Sequence, residues 1–354
     1  MTQKIRIKDI AALAGVSVGT VDRVLHNRPN VSPPAREKVE KALKEMNYKP
    51  NMYASALAYN KAYRFEVIMP THDSEAYWEE IEHGTHKVME HRSDFRIEVS
   101  ISYYERFDAE SFSKVSEQIL AANPDGIVIV PSTLEITRKF TDQLHERKIP
   151  FVMLDSYMPD LKPLSFFGQD SFSSGYFAAR MLMLIASGDS QVAIIKRTQD
   201  GQLTSRQQAN REVGFRHYML DHCPGVEILE LQLPVAASRK RYDALLEAFF
   251  DAHPALHHCI ILSSRAHIVG DFLLRTNRRE IQVMGYDVLD KNARCLREGS
   301  ISFLIAQHAY QQGFNAVDTL FKAIVLKQKV NAVNFMPIEL LSRENIDYYR
   351  RTQL

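Results

Sequence analysis

From Arg64 onward, short apolar runs alternate with longer amphipathic stretches, and this alternation restricts the possible folds more than any other feature of the chain. A first series of predicted strands reads RFEVIMP, RIEVSISYY, GIVIVP and PFVMLD, with helices predicted near residues 75–91, 109–122 and 134–147. A second series reads SFFG, VAIIK, VEILELQL, HCIILS and IQVMGY, with helices near 170–187, 207–221, 237–252 and 265–276. Such alternation is typical of parallel sheets covered by helices on both faces. Two series therefore predict two doubly wound α/β lobes, and ligands of such sheets bind beyond the carboxyl ends of the strands, here in a cleft between the lobes.

The N-terminal stretch IKDIAALAGVSVGTVDRVL, residues 7–25, has a different pattern. Its apolar residues predict two short helices joined by a turn at Gly15, with Ser17 as the N-cap of the second helix. This is the pattern of a helix-turn-helix, whose second helix can enter the major groove of DNA. Ser32, followed by two prolines, predicts the start of a third helix. The alternative interpretation is an ordinary helical hairpin.

The distribution of charge favours a nucleic-acid partner for this all-α head. The whole chain has a formal net charge of +1, but residues 1–62 carry eleven Lys and Arg against five Asp and Glu. The remaining residues have an excess of acidic side chains. A small basic head on an acidic body indicates a polyanion partner for the head alone.

Several classes of protein are disfavoured by what the sequence lacks. The three cysteines are scattered, without paired metal-ligand spacing, and are interpreted as reduced, packed thiols. No signal-peptide core and no apolar run long enough to cross a bilayer is present, so we expect a cytoplasmic protein with no membrane partner. Nucleophile-elbow, Gly-rich phosphate and HExxH motifs are absent, so neither an enzyme nor a cofactor is expected. His83 and His86, near Glu79 and Glu80, fit a solvated helix face better than a metal site.

Over residues 5–58 the chain resembles the headpiece and hinge of the LacI family of bacterial transcription regulators, through IKDIAALAGVSVGTVDRVL and VSPPAREKVEKALKEMNYKPNMYASAL. The resemblance implies a helix-turn-helix headpiece over 1–49 and a hinge helix with linker over 50–62. In that family, hinge helices from two subunits pair on the operator and insert a leucine into a base step of the minor groove. Two departures from the family pattern are Asp22 and Arg6, which stand where serine and a Thr/Ser cap are usual. The DNA-binding residues implied by the resemblance are Arg6, Ser17, Val18, Gly19, Thr20, Arg23, His26, Asn27, Ala54 and Leu57, the last being the matching leucine.

The body, 63–354, resembles the periplasmic sugar-binding-protein fold that this family uses as its effector domain. PDGIVIVPS, SSGYFAARMLM, ANREVGFRHYM and VMGYDVLDKNARCLREGSISFLIAQHAYQQGFNAV carry this second resemblance. It implies one lobe of about 63–163 plus 304–330 and another of about 164–303 plus 331–354. The effector-binding residues that it implies are His72, Asp73, Tyr77, Trp78, Asp155, Asp170, Arg211, Arg265, Asp287 and Gln307. Gln169, beside Asp170, also matches a position that faces the cleft in the family.

Three of these assignments have stated alternatives. Trp78 can be a core or interface aromatic residue instead of a sugar-stacking surface. Arg211 and Asp287 can form a structural salt bridge across the lobes instead of binding ligand. Arg265 stands where the family commonly has aspartate, which indicates an effector with an acid or phosphate group unless this side chain points away from the cleft.

The resemblance thus implies a homodimeric transcriptional regulator, expected to be a repressor, that binds a pseudo-palindromic double-stranded operator. A carbohydrate or sugar phosphate bound between the lobes would control its operator affinity. The alternatives are a stand-alone cytosolic solute-binding protein and a sugar-processing enzyme, neither with a role on DNA.

Overall fold

The computed structural model describes residues 6–25, 29–46, 48, 61–72, 77–186, 188–199, 201–203 and 205–351. The chain divides into two compact units, Met1–Lys61 and Ala62–Leu354. Each unit is described by itself below, as the headpiece and the body. The hinge residues Ala54 and Leu57 lie outside the described residues, as do His26 and Asn27.

The headpiece contains three helices, α1 (Ile7–Ala14), α2 (Val18–Leu25) and α3 (Pro33–Glu45). Its small core is formed by apolar residues at helical spacing, including Ile10, Val21 and Val39, all fully buried. Gly15 ends α1 in the left-handed region, with φ 64°, a conformation that glycine adopts at no steric cost. At the start of α1 the backbone N–H of the N-cap residue Arg6 donates to the Asp9 carboxylate at 2.8 Å, while the Arg6 side chain makes no capping hydrogen bond. The predicted helices and turn are therefore confirmed.

Ser32 is the N-cap residue of α3, so the predicted start of this helix is confirmed. Its side chain makes no capping hydrogen bond. The two prolines of the first turn have no N–H groups, so the N–H of Ala35 is the remaining donor that this hydroxyl could cap.

In the body, strands and helices alternate as predicted. The strands are β1 (Tyr63–Pro70), β2 (Ile97–Tyr104), β3 (Gly126–Ile129), β4 (Phe151–Leu154), β5 (Ser165–Gly168), β6 (Gln191–Gln199), β7 (Gln202–Leu203), β8 (Glu227–Pro234), β9 (His258–Ile261), β10 (Gln282–Tyr286), β11 (Phe303–Ala306), β12 (Val333–Phe335) and β13 (Glu339–Leu341). The helices are α4 (Tyr77–His91), α5 (Ala109–Ala122), α6 (Leu134–Glu146), α7 (Ser171–Ile185), α8 (Arg206–His222), α9 (Arg239–Ala252), α10 (His267–Thr276), α11 (Asp290–Glu298), α12 (Ala309–Leu320) and α13 (Ile346–Arg351). Short 3₁₀ segments span Ser93–Phe95 and Pro159–Leu161, and a π-helical segment, Phe321–Val325, follows α12.

Two sheets define the two lobes. Sheet one has the strand order β12-β5-β4-β3-β1-β2, and sheet two has the order β13-β11-β10-β9-β6, with β7 and β8 both paired to β6. Apart from the β6–β7 and β11–β13 pairs, these neighbours are parallel. Central strands such as β3, β4 and β9 are buried along their whole length because helices cover both faces of each sheet. The predicted doubly wound α/β class is confirmed.

The expected lobe boundaries near residues 163, 303 and 330 each fall a few residues too early. β5 completes sheet one, β11 lies in sheet two, and β12 pairs with β5 in sheet one. The chain changes lobe after each of these strands because a strand must complete its hydrogen-bond ladder before the chain leaves its sheet. Lobe one therefore extends to about 168 and regains the chain for about 308–335.

One side chain joins all three crossings between the lobes. Gln169 is 3% exposed and follows β5 at the first crossing. Its Nε2 donates to the carbonyl of Ala306, at the second crossing, at 3.0 Å, and to that of Pro337, at the third crossing, at 2.9 Å. Its Oε1 accepts a hydrogen bond from Ser174. Gln169 was expected to face the cleft, but its side chain instead links the three segments that cross between the lobes.

Each lobe also contains a pair of helices in backbone contact. In lobe one, α4 and α12 meet at glycines, so that a Cβ on Gly313 would lie 2.0 Å from the carbonyl oxygen of Ile81. In lobe two, α7 and α8 meet in the same manner, and a Cβ on Gly214 would lie 2.0 Å from the carbonyl oxygen of Phe172. Only glycine permits such close packing, so these helices are fixed relative to one another.

Candidate effector cleft and DNA-reading helix

Two aspartates occupy equivalent places at the carboxyl ends of strands, one in each lobe. Asp155 follows β4 and Asp287 follows β10, and both have φ 70°. Their backbone N–H groups donate to the third residue of the next strand, Phe167 at 3.0 Å and Ile305 at 2.9 Å. Both side chains are buried, at 8% and 4% exposure. The left-handed turn, which aspartate tolerates better than most residues, places an acidic group beyond the end of each strand.

Arg211 lies on α8 in lobe two and is 2% exposed. Its guanidinium lies 3.8 Å from the ring centroid of Tyr286 and donates to the carbonyl of Leu262 at 2.8 Å and to Gln207 at 3.2 Å. Its Nε has no hydrogen-bond partner among the described residues. Asp287 belongs to lobe two as well, so the alternative of an Arg211–Asp287 salt bridge across the lobes is wrong.

The buried ionisable groups of this site have shifted pKa values, and neighbouring charges contribute to these shifts. Burial raises the pKa of Asp287 to about 6, although the Arg211 guanidinium and the amide of Gln307 oppose this shift. Gln307 donates from Nε2 to both carboxylate oxygens of Asp287, at 2.8 and 3.0 Å, while its Oε1 has no partner among the described residues. Burial also raises the pKa of Asp155, and it raises that of Tyr77 well above its ordinary value. Clusters of buried, mutually perturbed ionisable groups beside a cleft are typical of binding sites.

These side chains form the floor of the cleft between the lobes. A small cavity of about 70 Å³ is lined by Tyr77, Trp78, Asp155, Arg211, Asp287 and Gln307, among others. Two larger cavities, of about 580 and 450 Å³, adjoin it, and both are lined by Trp78 and Arg106. Their volumes fall in the range of small-molecule sites.

Eight of the ten predicted effector residues line this cleft. Besides the six floor residues, His72 and Arg265 line the 580 Å³ cavity, so the alternative that Arg265 points away from the cleft is wrong. His72 is held by the Pro70 carbonyl at 3.1 Å and by Glu82 at 3.2 Å. Trp78, at 9% exposure, packs edge-on against Tyr77 and also lines all three cavities, so it is both packed and accessible to a ligand.

The other two predicted effector residues do not line these cavities in the described structure. Asp170 caps α7, because its carboxylate accepts from the backbone N–H of Ser173 at 3.1 Å and from its hydroxyl at 2.7 Å. A carboxylate at a helix N-terminus satisfies otherwise unpaired N–H groups, and this explains the residue. Asp73 lies outside the described residues.

Several cleft residues were not found by sequence reasoning, and three of them bear on the chemistry of the site. Arg106 lies two residues beyond the end of β2, where the rule that ligands bind at the carboxyl ends of strands could have found it. Arg197 lies on β6, which continues three residues beyond the predicted VAIIK and carries the arginine to the cleft. Gln207, in the first turn of α8, donates to the backbone carbonyl of Asp155 at 2.6 Å and thereby bridges the lobes. No sequence signal distinguishes Gln207 from the adjacent Gln208, so its contact with Asp155 could not be predicted.

In the headpiece, α2 presents Val18, Gly19 and Arg23 at the surface, and Val18 is 51% exposed. Ser17 caps this helix by accepting from the backbone N–H of Thr20 at 3.1 Å. The hydroxyls of Ser17 and Thr20 also lie 2.9 Å apart, so the Thr20 hydroxyl has an intramolecular partner already. Arg6 is exposed just before α1.

The described part of the chain has neither a metal-type cluster of side chains nor a helix suited to a membrane span. No group of three or more His, Cys, Asp or Glu side chains there has the arrangement of a metal site. None of the helices described combines the length and apolar character that a membrane span requires.

A two-lobed α/β body with a ligand-sized cleft, on the same chain as a helix-turn-helix unit, defines a class of ligand-responsive DNA-binding proteins. Family models agree with this class. The model of the periplasmic binding protein domain matches residues 65–328, and that of the bacterial regulatory proteins of the lacI family matches residues 6–51.

Individual relatives extend the match to the full chain. The chain is 24% identical to the ribose operon repressor of Lactococcus lactis, over 98% of this chain and 99% of that protein. It is 26% identical to the transcriptional repressor PurR of Pasteurella multocida, over 96% and 98% of the respective chains. A crystal structure described as a LacI transcriptional regulator from Bacteroides fragilis is 40% identical, with a TM-score of 0.78, and covers 82% of this chain and 100% of that one. The chain therefore belongs to the LacI family of bacterial regulatory proteins and is a DNA-binding transcriptional regulator.

Proposed function

We propose that this chain is a cytoplasmic, homodimeric repressor whose operator affinity is set by a carbohydrate bound in the cleft of the body. The observation that carries the proposal is the floor of the cleft, where one buried arginine and two buried aspartates lie beside aromatic rings. Sugar hydroxyls both donate and accept hydrogen bonds. The arginine can donate to a hydroxyl oxygen, and the aspartate carboxylates can accept from a hydroxyl hydrogen. Trp78 offers a flat apolar face to the C–H groups of a ring. The relationship to a ribose operon repressor supports the same class of ligand.

On the DNA side, we propose that α2 reads the major groove with few base-specific donors. Val18 offers an apolar contact to a thymine methyl group, and Arg23 supplies a base or phosphate contact. Arg6 supplies a phosphate contact. Specificity then depends also on the spacing of two headpieces and on Leu57, the residue that matches the leucine wedge of the family.

The contact between Gln207 and Asp155 supports a way of coupling the two functions. A ligand that engages Asp155 in lobe one and Arg211 with Asp287 in lobe two favours the arrangement in which the lobes are bridged. A ligand can shift the protein between two states only by its differential affinity for them, and such coupling is typically about 1–3 kcal/mol. We propose that this shift changes the separation of paired hinges on the operator.

The test has two steps. The operator is first selected with the full chain from a random duplex pool, and saccharides are screened by thermal shift. Operator affinity is then measured with and without each saccharide that binds, and saccharide affinity with and without operator. The factor by which saccharide changes operator affinity must equal the factor by which operator changes saccharide affinity, and it should lie between about 5- and 150-fold. Saccharide affinity that is unaffected by operator would refute the coupling. Failure to select any duplex would favour a solute-binding protein or an enzyme.

A further inference from the structure

The 580 Å³ cavity beside the floor contains three arginines, Arg106, Arg197 and Arg265, and is called the arginine cavity below. These residues come from three separate elements, since Arg106 follows β2, Arg197 lies on β6 and Arg265 precedes α10. Arg106 also lies over Trp78, with its guanidinium 5.8 Å from the ring centroid. The arginines therefore surround the space in which a ligand stacked on Trp78 would extend.

The positive charge of this cavity is only partly balanced, because its lining includes three arginines and two carboxylates. Its two described carboxylates already accept hydrogen bonds, Glu105 from the Thr71 hydroxyl at 3.0 Å and Asp108 from backbone N–H groups at the start of α5. Among the described residues, none of these three arginines has a carboxylate within ion-pair distance, although the charge of Arg106 opposes the burial that raises the pKa of Asp155. At the floor of the cleft, Arg211 is accompanied by two aspartates, of which Asp155 is also influenced by the charge of Arg106.

One of the three arginines has a buried, unsatisfied donor. Arg197 donates from one terminal nitrogen to the carbonyl of Val235, but its buried Nε has no partner in the described structure. Burial lowers the pKa of Arg197, the neighbouring Tyr242 side chain opposes this shift, and the positive charges of Arg265 and Arg106 lower the pKa further. Like charges held together in a cleft raise its electrostatic potential and attract ligands of opposite sign.

We propose that the effector is an acidic saccharide, with a carboxylate or phosphate group bound in the arginine cavity and ring hydroxyls bound at the floor. The proposal rests on the proposed function and specifies the ligand class of the same site. Guanidinium groups match the planar geometry of carboxylate and phosphate oxygens and can bind them bidentately. The second large cavity, lined by Ser132, Thr133, Ser156, Ser205 and Arg206 among others, has more hydroxyls and fewer cations than the arginine cavity.

The experiment uses the full chain and three matched sets of probes. These are neutral mono- and disaccharides, the corresponding uronic acids and the corresponding sugar phosphates, each titrated calorimetrically at low and high NaCl. Acidic members should bind about 10- to 100-fold more tightly than their neutral counterparts, as expected for charge-assisted hydrogen bonds. This preference should shrink as salt is raised. Comparison of the two acidic sets identifies which oxyanion is preferred, and either preference supports the proposal.

Two variants separate the cavity from general charge effects. Arg265→Gln should reduce the ratio of acidic to neutral affinity by about tenfold. Arg180→Gln, which removes a charge from the exposed face of α7, should leave that ratio unchanged. Equal binding of neutral and acidic probes, or an unchanged ratio in Arg265→Gln, would overturn the proposal while the neutral ligand still supported the proposed function. Binding by none of the probes would overturn both.

Discussion

Replacing Asp287 by asparagine should stabilise the ligand-free protein while weakening ligand binding. Burial raises the pKa of this carboxyl from an ordinary value of 3.8 to about 6. A shift of one pKa unit corresponds to about 1.36 kcal/mol, so keeping Asp287 ionised costs the folded state up to about 3 kcal/mol. Asparagine removes this cost and retains an oxygen that can accept from Gln307. We expect a gain of about 1–3 kcal/mol at pH 8.

The raised pKa of Asp287 also predicts how the stability of the folded protein changes with pH. Because the pKa is raised on folding, the folded state binds the proton more tightly than the unfolded chain does. The wild-type protein therefore gains stability from this group as pH falls, fully below about 4, and loses that contribution as pH rises through about 6. The advantage of the Asp287→Asn variant should be complete at pH 8, smaller at pH 5 and absent near pH 4.

Scanning calorimetry of the full chain at pH 8 and pH 5 tests this reasoning. One kcal/mol shifts the Tm of a domain of this size by about 2–4 °C, so the variant should melt a few degrees higher at pH 8. Asp142→Asn, on the exposed face of α6, is the matched control and should have little effect at either pH. Absence of stabilisation at pH 8, or a gain of equal size at both pH values, would show that the buried carboxylate carries no such cost.

Three further substitutions have defined outcomes. Gly313→Ala should lower the urea midpoint of the body by an amount equivalent to about 3 kcal/mol, because its Cβ would lie 2.0 Å from a carbonyl oxygen. Gly225→Ala, with no atom within 4 Å of its Cβ, is the control, and equal midpoints would contradict the close packing. Arg211→Ala should abolish saccharide binding measured by calorimetry and leave ligand-free operator affinity within about threefold, so retained saccharide binding would exclude this residue from the site. Leu57→Ala should weaken operator binding in a mobility-shift titration by about tenfold or more without changing saccharide affinity, and an unchanged operator affinity would exclude the leucine wedge.

The element pattern of this chain was predictable from its sequence, because each buried strand is a continuous apolar run and each covering helix has an apolar stripe. Asp155 and Asp287 were predictable for the same reason, since both end such a run. The lobe boundaries were less accurate. Whether β5 joins the first or the second sheet depends on its hydrogen-bond partners, which are distant in sequence and leave no local pattern.

The arginine cavity shows where sequence reasoning stops. Arg265 could be singled out because it departs from a family pattern, but Arg197 lies within a strand whose end was placed too early. The grouping of these two with Arg106 is a property of tertiary structure, because it joins strand ends from both lobes. Asp170 and Gln169 are the opposite case, because the sequence places both in the cleft but the structure does not. Their side chains form hydrogen bonds with backbone groups instead.

The single side-chain amide of Gln169 connects the three segments that cross between the lobes, so this residue can influence the ligand response of the regulator. Two hydrogen bonds from one nitrogen link all three segments, so a substitution of Gln169 would alter the free-energy gap between relative orientations of the lobes. Apparent ligand affinity scales with the fraction of molecules in the binding-competent orientation. Natural variation around this pivot can therefore reset the ligand concentration at which a gene responds, while the surfaces that recognise DNA and ligand stay the same.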